Sequence, residues 1–354
     1  MDRKAPGATG SDASTVRDVA KRAGVSASTV SRVLGGTYPV AAATRTRVLR
    51  AMRDLDYVVN AHARALGGAT NKTVAFVVDD VTGPFYAHIA RGVEEQASAE
   101  GRLCMLCTTH GDPQRVLAVV EMMREQRADA VIVVGGAWED KTYQDRMTHF
   151  AHALDRAGSR LVLVGRPPLG EGVPATVVEY DNEGGAFAMT THLLSSGHQR
   201  IAYLGVVPGL STSRQRLDGF HRAHEMLGLT PDPDLLREGN FSRSYGYQGI
   251  RKLLADKADF TAVFAATDMV AAGAMQALRE AGVRVPDDVS VVGYDDVPVA
   301  IDVVPALTTV SIPHEELGRT AVRLALHRDE LPESQHQMLG THIVVRGSTR
   351  GPRR

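Results

Sequence analysis

The sequence lacks the features that would point to a secreted or membrane-bound protein. It has two cysteines and one tryptophan in 354 residues, and aromatic residues make up only 5%. The longest apolar runs, such as 130–134, are far shorter than the roughly 18 residues that a membrane helix needs. Residues 1–14 are polar and contain no apolar segment of a secretory signal. We therefore expect a cytoplasmic protein that does not associate with a membrane.

The two cysteines, Cys104 and Cys107, have the C-x-x-C spacing of a redox or metal-binding pair. The run from Arg102 to Thr108, however, has the pattern of a buried strand, in which residues i and i+3 point to opposite faces. The sheet would then separate the two thiols. We expect both cysteines to be structural.

Sequence motifs of catalysis are also absent. We find no G-x-G-x-x-G, no G-x-x-x-x-G-K-[ST], no G-x-S-x-G and no H-E-x-x-H. Two histidine pairs at i,i+3 spacing, His149/His152 and His221/His224, could hold a metal, but no nearby Asp, Glu or Cys grouping completes a site, so they are expected to lie on solvated helix faces. We expect no enzymatic activity, no metal and no cofactor.

Charge is distributed unevenly, although the net charge is only −1. Residues 1–70 carry 11 Lys and Arg against 5 Asp, a balance of +6, whereas residues 71–354 carry 29 against 36 acidic residues, a balance of −7. A basic segment on an otherwise acidic chain is typical of nucleic-acid binding. The length allows two to three domains, so we expect the basic segment to form a domain of its own.

Three short helices are predicted in the basic segment. Thr15 and Asp18 have the spacing of a capping box and begin a first helix that ends at Gly24. Ser26 is a good N-cap for a second helix over 27–34, and a third is expected over 42–56. The third helix should direct apolar residues inward and arginines outward. These are Val48, Leu49, Met52 and Leu55 on the inner face, and Arg45, Arg47, Arg50 and Arg53 on the outer face.

Two helices joined by a tight glycine turn are the pattern of a helix-turn-helix, although a small bundle with a solvated basic face is an alternative. A helix-turn-helix places the start of its second helix in the major groove, so we expect Ala27, Ser28 and Arg32 to face base edges. Arg32 could donate two hydrogen bonds to a guanine. Neighbouring hydroxyl groups are expected to bind phosphate, which sets the register without reading sequence. These belong to Ser26, Thr29 and Ser31.

The segment resembles the DNA-binding headpiece of the lactose-repressor/galactose-repressor (LacI/GalR) family. The resemblance lies in VRDVAKRAGVSASTVSRV over 16–33, TRTRV over 44–48 and Asp56-Tyr57. It implies that Thr15, Thr44 and Tyr57 also contact DNA. Ala27 and Ser28 are smaller than the base-reading residues of other members, which leaves fewer direct contacts.

The resemblance continues through the linker, where NAHARAL over 60–66 is similar to the hinge helix of the family. It implies that Asn60, Ala63 and Leu66 contact DNA and that Leu66 wedges into the minor groove. Such a wedge unstacks a base step and kinks the duplex. Val59 stands where the family often has proline, so the entry to this helix is expected to be less rigid.

From residue 72 onward, short apolar strands alternate with helical stretches, which predicts parallel sheets in doubly wound α/β units. Strands are expected over 74–78, 103–106, 130–134, 161–164, 176–178, 201–204, 262–265 and 289–292. A second strand series begins near 173 and the chain returns near 305, so we expect two similar subdomains. The N-subdomain would comprise about 72–173 plus 306–335, and the C-subdomain about 174–305 plus 336–350.

The whole chain is thus expected to be an α/β protein with an all-α N-terminal headpiece. A disordered tail is expected over 1–14, the helix-turn-helix domain over 15–58, the hinge helix and linker over 59–71, and the core over 72–350. The core resembles the periplasmic sugar-binding-protein fold of the family, with a ligand cleft between the subdomains. In such sheets, ligands bind at the carboxyl ends of the strands.

By this resemblance, Arg216 and Asp295 form a polar effector-binding pair, in which the guanidinium donates to ligand oxygens and the carboxylate accepts from hydroxyl groups. Tyr86 and Phe241 would offer apolar surface to a ring, although Phe241 could instead be a core aromatic. Thr267 stands where many sugar-responsive members have asparagine. The cleft is also expected to contain Arg166, which together with Arg214 and Arg216 would suit an anionic sugar.

The sequence therefore predicts a transcriptional repressor whose operator affinity is controlled by a small molecule, with a sugar as the expected effector. One headpiece reads few base pairs, so a homodimer on a pseudopalindromic double-stranded DNA operator is expected. The alternative is a solute-binding protein of a sugar transporter, for which the core alone would suffice. An enzyme on the same scaffold is a third possibility, but it lacks a recognisable nucleophile or cofactor loop.

Overall fold

The computed structural model describes residues 14–35, 39–57, 72–328 and 335–352. The chain divides into two units, residues 1–71 and residues 72–354. The predicted tail up to residue 13 and the hinge residues Asn60, Ala63 and Leu66 lie outside the described residues.

The first unit contains helices α1 (Val16–Ala23), α2 (Ala27–Gly35) and α3 (Ala42–Asp54). The predicted capping box begins α1: the Asp18 carboxylate accepts from the backbone N–H of Thr15 at 2.8 Å and from its hydroxyl at 2.6 Å. These bonds lower the pKa of Asp18. Gly24 ends the helix with φ +64°, a left-handed conformation that glycine adopts at little cost.

A small apolar core holds the three helices together. Its buried residues are Val19, Ala20, Ala23, Val30, Val48 and Ala51. One prediction is wrong here, because Leu49 is 39% exposed and Ala51 takes its place on the inner face. The reason is the helical period, since residues 48, 51, 52 and 55 form the inward stripe at i, i+3, i+4 and i+7. Position 49 falls beside that stripe.

The described part of the second unit contains two six-stranded sheets. The first sheet has the strand order β11-β5-β4-β3-β1-β2, and all of its neighbouring strands are parallel. Its strands are β1 (Thr73–Val78), β2 (Leu103–Thr108), β3 (Ala130–Val134), β4 (Arg160–Val164), β5 (Ala175–Tyr180) and β11 (His336–Leu339).

The second sheet has the order β12-β10-β9-β8-β6-β7, and only the β10–β12 pair is antiparallel. Its strands are β6 (Ile201–Val206), β7 (Leu236–Glu238), β8 (Ala262–Ala265), β9 (Ser290–Asp295), β10 (Thr308–Ser311) and β12 (His342–Val344). The predicted strands all fall in these sheets, whereas the short strands β7 and β10–β12 were not predicted.

The predicted subdomain boundaries are displaced. The strand near 176 was assigned to the C-subdomain, but β5 pairs with β4 and so extends the first sheet. Likewise, β10 belongs to the second sheet and β11 to the first. The chain therefore crosses between the sheets after Tyr180, after Ser311 and after Leu339. All these strands are short and apolar, so their sequence does not show which sheet each one joins.

Helices cover both faces of each sheet. They are α4 (Pro84–Ala99), α5 (Pro113–Glu125), α6 (Lys141–Arg156), α7 (Asn182–Ser195), α8 (Ser211–Met226), α9 (Arg243–Ala255), α10 (Asp268–Glu280), α11 (Val299–Asp302) and α12 (His314–Leu326). A 3-10 turn, Pro233–Leu235, precedes β7. Helices α4 and α12 approach so closely that a Cβ atom on Gly92 would lie 2.0 Å from the carbonyl oxygen of Glu315. Only glycine fits this crossing.

The strand that contains the two cysteines forms at the predicted place but is not buried. Cys104 packs on one apolar cluster and Cys107 on another, so the two thiols face opposite sides of the sheet as predicted. Yet β2 is the edge strand, and Leu103, Met105 and Leu106 are 66%, 38% and 46% exposed. The apolar run predicts burial on both faces, whereas in the structure it forms an exposed apolar edge.

Candidate functional site

The start of helix α2 presents an exposed polar surface. Ala27, Ser28, Ser31 and Arg32 are all exposed. The hydroxyl of Ser26 accepts from the backbone N–H of Thr29 at 3.2 Å, as expected of an N-cap. This geometry leaves the side chains of the first turn of α2 accessible to the major groove of DNA.

Several arginines of the headpiece carry charge that no carboxylate neutralises. Among the residues that the structure describes, none of five headpiece arginines has a carboxylate within 4 Å: Arg32, Arg45, Arg47, Arg50 and Arg53. All five are exposed, which suits them to phosphate. Three other residues that were expected to contact DNA are less accessible. The hydroxyl of Thr15 is bonded to Asp18, and Thr44 and Tyr57 are partly buried, Tyr57 against the headpiece core.

A cavity of about 180 Å³ lies between the two sheets of the core, at the carboxyl ends of their strands. One wall comes from the first sheet and the other from the second. The first wall comprises Asp79, Gly83, Pro84, Phe85, Tyr86, Gly135, Gly136 and Tyr180, and the second comprises Leu210, Thr212, Arg216, Phe241, Thr267, Met269, Asp295 and Val297. The cavity wall thus brings together five of the six residues predicted from the sequence.

The guanidinium of Arg216 is fully buried and almost saturated with acceptors. Its Nε donates to Asn182 Oδ1 at 2.9 Å, and its Nη2 donates to Asp295 Oδ1 at 3.0 Å and to the Tyr180 hydroxyl at 3.4 Å. Nη1 donates to the carbonyl of Ala266, and the guanidinium carbon lies 3.7 Å from the centre of the Tyr294 ring. Four of its five N–H groups are therefore used. The guanidinium was expected to donate to several ligand oxygens, but only one of its N–H groups remains available for a ligand.

Asp295 keeps one oxygen for a ligand. Its Oδ1 accepts from Arg216, whereas its Oδ2 has no partner among the described residues. Burial raises the pKa of Asp295 to about 6, although the charge of Arg216 opposes the shift. The residue has φ +109°, which is unusual for a side chain other than glycine. Strain of this kind concentrates at ligand sites, where the surrounding structure must hold it.

Asp268 is the residue that holds the backbone beside Asp295. It is completely buried, and its Oδ2 accepts from the backbone N–H of Val297 at 2.9 Å. Its Oδ1 accepts from the hydroxyl of Thr309 at 2.5 Å. Burial raises the pKa of Asp268 well above its ordinary value. The side chain therefore anchors the turn after β9 from beneath.

The opposite wall places an aromatic hydroxyl and a carboxylate at the end of β1. The Tyr86 hydroxyl donates to Asp79 Oδ2 at 3.1 Å, and Thr109 donates to Asp79 Oδ1 at 3.0 Å. Burial, followed by the nearby charge of Asp79, raises the pKa of Tyr86 well above its usual value. Gly135 allows this placement, because a Cβ there would lie 3.1 Å from the Tyr86 oxygen.

Two threonines on the second wall differ in what they offer to a ligand. Thr267 is the N-cap of α10: its Oγ1 accepts from the backbone N–H of Val270 at 3.3 Å and donates to the carbonyl of Phe241 at 3.5 Å. Thr212 is buried, and its Oγ1 has no partner in the described structure. A buried hydroxyl without a partner is costly, so Thr212 is suited to bond with a ligand.

A hydrogen-bonded clasp joins the two walls beside the cavity. It consists of residues 137–139 of one subdomain and residues 209–214 of the other. The backbone N–H of Ser211 donates to the Ala137 carbonyl at 2.9 Å, and the N–H of Glu139 donates to the Gly209 carbonyl at 2.8 Å. The N–H of Ala137 donates to Ser211 Oγ at 2.9 Å. Arg214 forms an exposed ion pair with Glu139 at 2.5 Å, so its charge is already partnered.

Arg166 does not belong to this cavity. It lies on the wall of a second, smaller cavity behind the end of β3. The arginine cluster predicted for an anionic effector is therefore not assembled: Arg216 is bonded to Asp295, Arg214 to Glu139, and Arg166 points elsewhere.

Sequence reasoning missed several residues of the wall, notably Asp79, Thr212, Tyr180 and Met269. Their signal is positional, since Asp79 follows β1 and Tyr180 ends β5, and parallel strands direct their carboxyl ends to the same edge. Thr212 could not be found this way, because it lies in the first turn of a helix. Its importance comes from a missing hydrogen bond, which only the structure shows.

The histidine pairs do not form a metal site in the part of the chain that the structure describes, where no group of three or more potential ligands is assembled. His149, His152 and His221 are exposed as predicted. The prediction is wrong for His224, which is buried against Phe220 and bonded to its carbonyl oxygen at 2.9 Å. None of the described helices is long and apolar enough to cross a membrane.

A basic helix-turn-helix unit and a separate α/β unit with a ligand cavity define the class of DNA-binding regulators with a ligand-binding core. Residues 15–60 match the model of bacterial regulatory proteins of the lacI family, and residues 190–349 match a periplasmic binding protein-like domain.

Comparisons over the full length agree with this assignment. The HTH-type transcriptional repressor PurR of Mannheimia succiniciproducens is 35% identical over 95% of this chain and 98% of its own. The HTH-type transcriptional regulator DegA of Bacillus subtilis is 34% identical with the same coverage.

Among solved structures, the transcriptional regulator CelR in complex with cellobiose is 35% identical, with a TM-score of 0.69 over 95% of this chain and 100% of its own. The lac repressor dimer bound to operator and an anti-inducer is 28% identical, with a TM-score of 0.78 over 95% and 99%. The chain belongs to the LacI family of transcriptional regulators. It is a DNA-binding repressor with an effector-binding core.

Proposed function

We propose that this chain is a homodimeric repressor whose operator affinity changes when a neutral sugar or sugar derivative binds in the cavity between the sheets. The observation that carries the proposal is the pattern of unused polar groups on an otherwise apolar wall. They are Asp295 Oδ2, Thr212 Oγ1 and one N–H of Arg216, beside the rings of Phe85 and Phe241.

A sugar matches this pattern in both respects. Its hydroxyl groups would donate to the Asp295 carboxylate and bond with Thr212, while its apolar ring face would lie against aromatic carbon. The cavity volume equals about six water volumes, which fits one sugar ring. A neutral sugar is favoured over a phosphorylated one, because Arg216 retains only one donor and Arg214 is paired. The CelR relative was solved with cellobiose.

The effector proposal is tested by calorimetric titration of the full-length protein with a panel of neutral and phosphorylated sugars. Thr212→Val keeps the shape of the side chain and removes its hydroxyl, so it should weaken binding of the matching sugar by roughly fivefold or more. Thr191→Val on α7, whose hydroxyl is bonded to the carbonyl of Phe187 outside the cavity, is the matched control. A phosphorylated sugar that binds more tightly than its neutral form would contradict the proposal.

The DNA-binding part of the proposal is tested by selecting bound duplexes from a random pool. The affinity for the most enriched duplex is then measured at several salt concentrations. Enrichment of a pseudopalindrome and a steep salt slope are expected, because the arginines of the headpiece displace counterions. Arg32→Ala should relax sequence preference at one position of each half-site, whereas Arg50→Ala should change affinity more evenly across sequences. Failure to enrich any sequence, with or without a bound sugar, would contradict the assignment of the reading surface.

The exposed edge of the first sheet supports the homodimer. Leu103, Met105 and Leu106 on β2 and Met122 on α5 are all exposed apolar side chains, with Met122 at 53%. An open apolar edge strand is a liability unless a partner covers it, and a second copy of the chain would do so symmetrically. Met105→Glu should shift the protein from dimer to monomer in sedimentation velocity. A stable dimer in that variant would exclude this edge as the interface.

A further inference from the structure

The residues behind the effector cavity form a second, smaller cavity of about 70 Å³. Its wall is apolar except for Arg166, Tyr143 and Gln144, and it includes Ala137, Met147, Leu163, Pro167, Pro168 and Leu169. Gln144 and Pro168 are exposed and form the rim, so the cavity is open to solvent. It is too small for a sugar and large enough for a single charged group.

Arg166 brings an uncompensated positive charge to this cavity. The side chain is only 3% exposed, and its Nη1 donates to the Tyr143 hydroxyl at 2.8 Å. Its Nη2 makes a long bond of 3.4 Å to the carbonyl of Val134, and its Nε has no acceptor. Within the described part of the chain, no carboxylate lies within 4 Å of Arg166. Both acceptors are neutral, so the buried charge lacks a counter-ion.

The contrast with Arg216 shows that this arrangement is unusual within the same protein. Arg216 is equally buried but has the carboxylate of Asp295 at 3.0 Å. Asp79, an acidic residue that follows β1, is bonded to Tyr86 and Thr109. A buried cation whose partners are all neutral is strongly stabilised by an anion, because a charge buried without compensation costs more than one in water.

The start of α6 forms part of the cavity wall. Tyr143, Gln144 and Met147 belong to its first two turns, and its N-cap Asp140 accepts from the backbone N–H of Tyr143 at 2.7 Å. This end of the helix is thus already capped by a carboxylate, and the positive charge on the cavity wall comes from Arg166. The Tyr143 hydroxyl, which accepts from Arg166, keeps its own proton to donate. The side-chain amide of Gln144 has no partner among the described residues and is exposed at the rim.

We propose that this second cavity is a binding site for a small oxyanion, namely a carboxylate or phosphate group. The anion would accept from the guanidinium of Arg166 and from the Tyr143 hydroxyl, and the Gln144 amide would close over it. The site is separate from the effector cavity and does not depend on the identity of the effector. It adjoins that cavity through the segment after β3, because Ala137 borders this site while Gly136 borders the effector cavity.

The test uses thermal unfolding of the full-length protein at pH 7 in increasing phosphate or acetate, with sodium chloride holding the ionic strength constant. A saturable rise of roughly 3–5 °C in Tm is expected at a tenfold excess over Kd. The two anions are measured separately, so that their half-saturation concentrations show whether phosphate or carboxylate is preferred. A rise that follows only ionic strength would overturn the proposal.

Three variants locate the effect. Arg166→Gln should abolish the rise in Tm, and Arg156→Gln, an exposed arginine at the opposite end of α6, should retain it. Gln144→Trp alters only an exposed rim residue and should also abolish the rise by blocking the entrance, which covers the case in which Arg166→Gln does not fold. An undiminished rise in Gln144→Trp and any folded Arg166→Gln protein would mean that the anion binds elsewhere, such as on the headpiece arginines, and would overturn the proposal.

Discussion

The buried pair in the effector cavity makes a stability prediction that needs no ligand. Replacing Asp295 with Ala should lower the free energy of unfolding by about 3–5 kcal/mol, the usual cost of removing one partner of a buried ion pair. The side chains of Arg216 and Asp295 are 2% and 8% exposed, so water cannot replace the lost carboxylate. The acceptors that remain, Asn182, Tyr180 and the Ala266 carbonyl, are neutral and leave the guanidinium charge uncompensated.

The assay is urea denaturation at pH 7 with matched variants. Asp295→Asn should lose less than Asp295→Ala, because its amide oxygen still accepts from the guanidinium. Asp145→Ala is the control, since Asp145 and Lys141 are 67% and 88% exposed and their ion pair is expected to add little. The thermal midpoint should fall in the same order, by roughly 2–4 °C for each kcal/mol.

Equal stability of the Asp295→Ala and Asp145→Ala proteins would refute this reasoning. It would mean that the guanidinium is not held in a dry site, or that it finds another anion when the carboxylate is removed. Repeating the denaturation in phosphate and in chloride separates these two cases, because only in the second does phosphate stabilise the Asp295→Ala protein more than it stabilises the Asp145→Ala protein.

Three further predictions concern binding and packing. The pKa of Asp295 is raised to about 6, and a ligand hydroxyl donates to its charged form. Effector affinity measured by calorimetry should therefore fall by up to about tenfold per pH unit below pH 6. The Asp295→Asn protein should show no such fall. Gly92→Ala should lower the free energy of unfolding in urea by roughly 1–3 kcal/mol, because the new Cβ would lie 2.0 Å from a backbone carbonyl oxygen. Gly249→Ala is the control, since its Cβ would have its nearest neighbour at 3.4 Å and should leave the free energy of unfolding unchanged. In the clasp, Glu139→Gln should change effector affinity less than Ser211→Ala, since the ion pair is exposed and the serine bond is buried; the reverse order in calorimetry would contradict this.

The sequence predicted the elements of the fold better than their arrangement. Apolar runs located the longer strands, and caps such as Thr15 and Gly24 located the helices of the headpiece. The assignment of β5 and β10 failed because both sheets are built from the same kind of strand. Pairing of β5 with β4 depends on contacts between distant segments, and local pattern carries no information about them.

The site was predicted to a similar degree. Arg216 and Asp295 could be transferred by resemblance, and the structure places them 3.0 Å apart. The number of donors that Arg216 keeps for a ligand could not be predicted, because it depends on Asn182 and on a backbone carbonyl that folding brings close. Arg166 was misplaced for the same reason: its position after β4 fits the cleft edge, but its side chain turns behind β3.

The origin of the cavity wall in two sheets constrains how a ligand can act on DNA binding. A ligand that touches Tyr86 on one wall and Asp295 on the other loses one set of contacts whenever the walls separate, so it favours the closed arrangement. The clasp already favours the closed arrangement without a ligand. The ligand therefore needs to supply only the rest of the free-energy difference between the open and closed arrangements. If the closed core binds operator better, the ligand tightens operator binding; if the open core does, the ligand weakens it by the same factor that the operator weakens ligand binding. Ligand affinity measured with and without operator must therefore give the same ratio as operator affinity measured with and without ligand. Unequal ratios would show that a third equilibrium, such as dimer dissociation, is coupled to both.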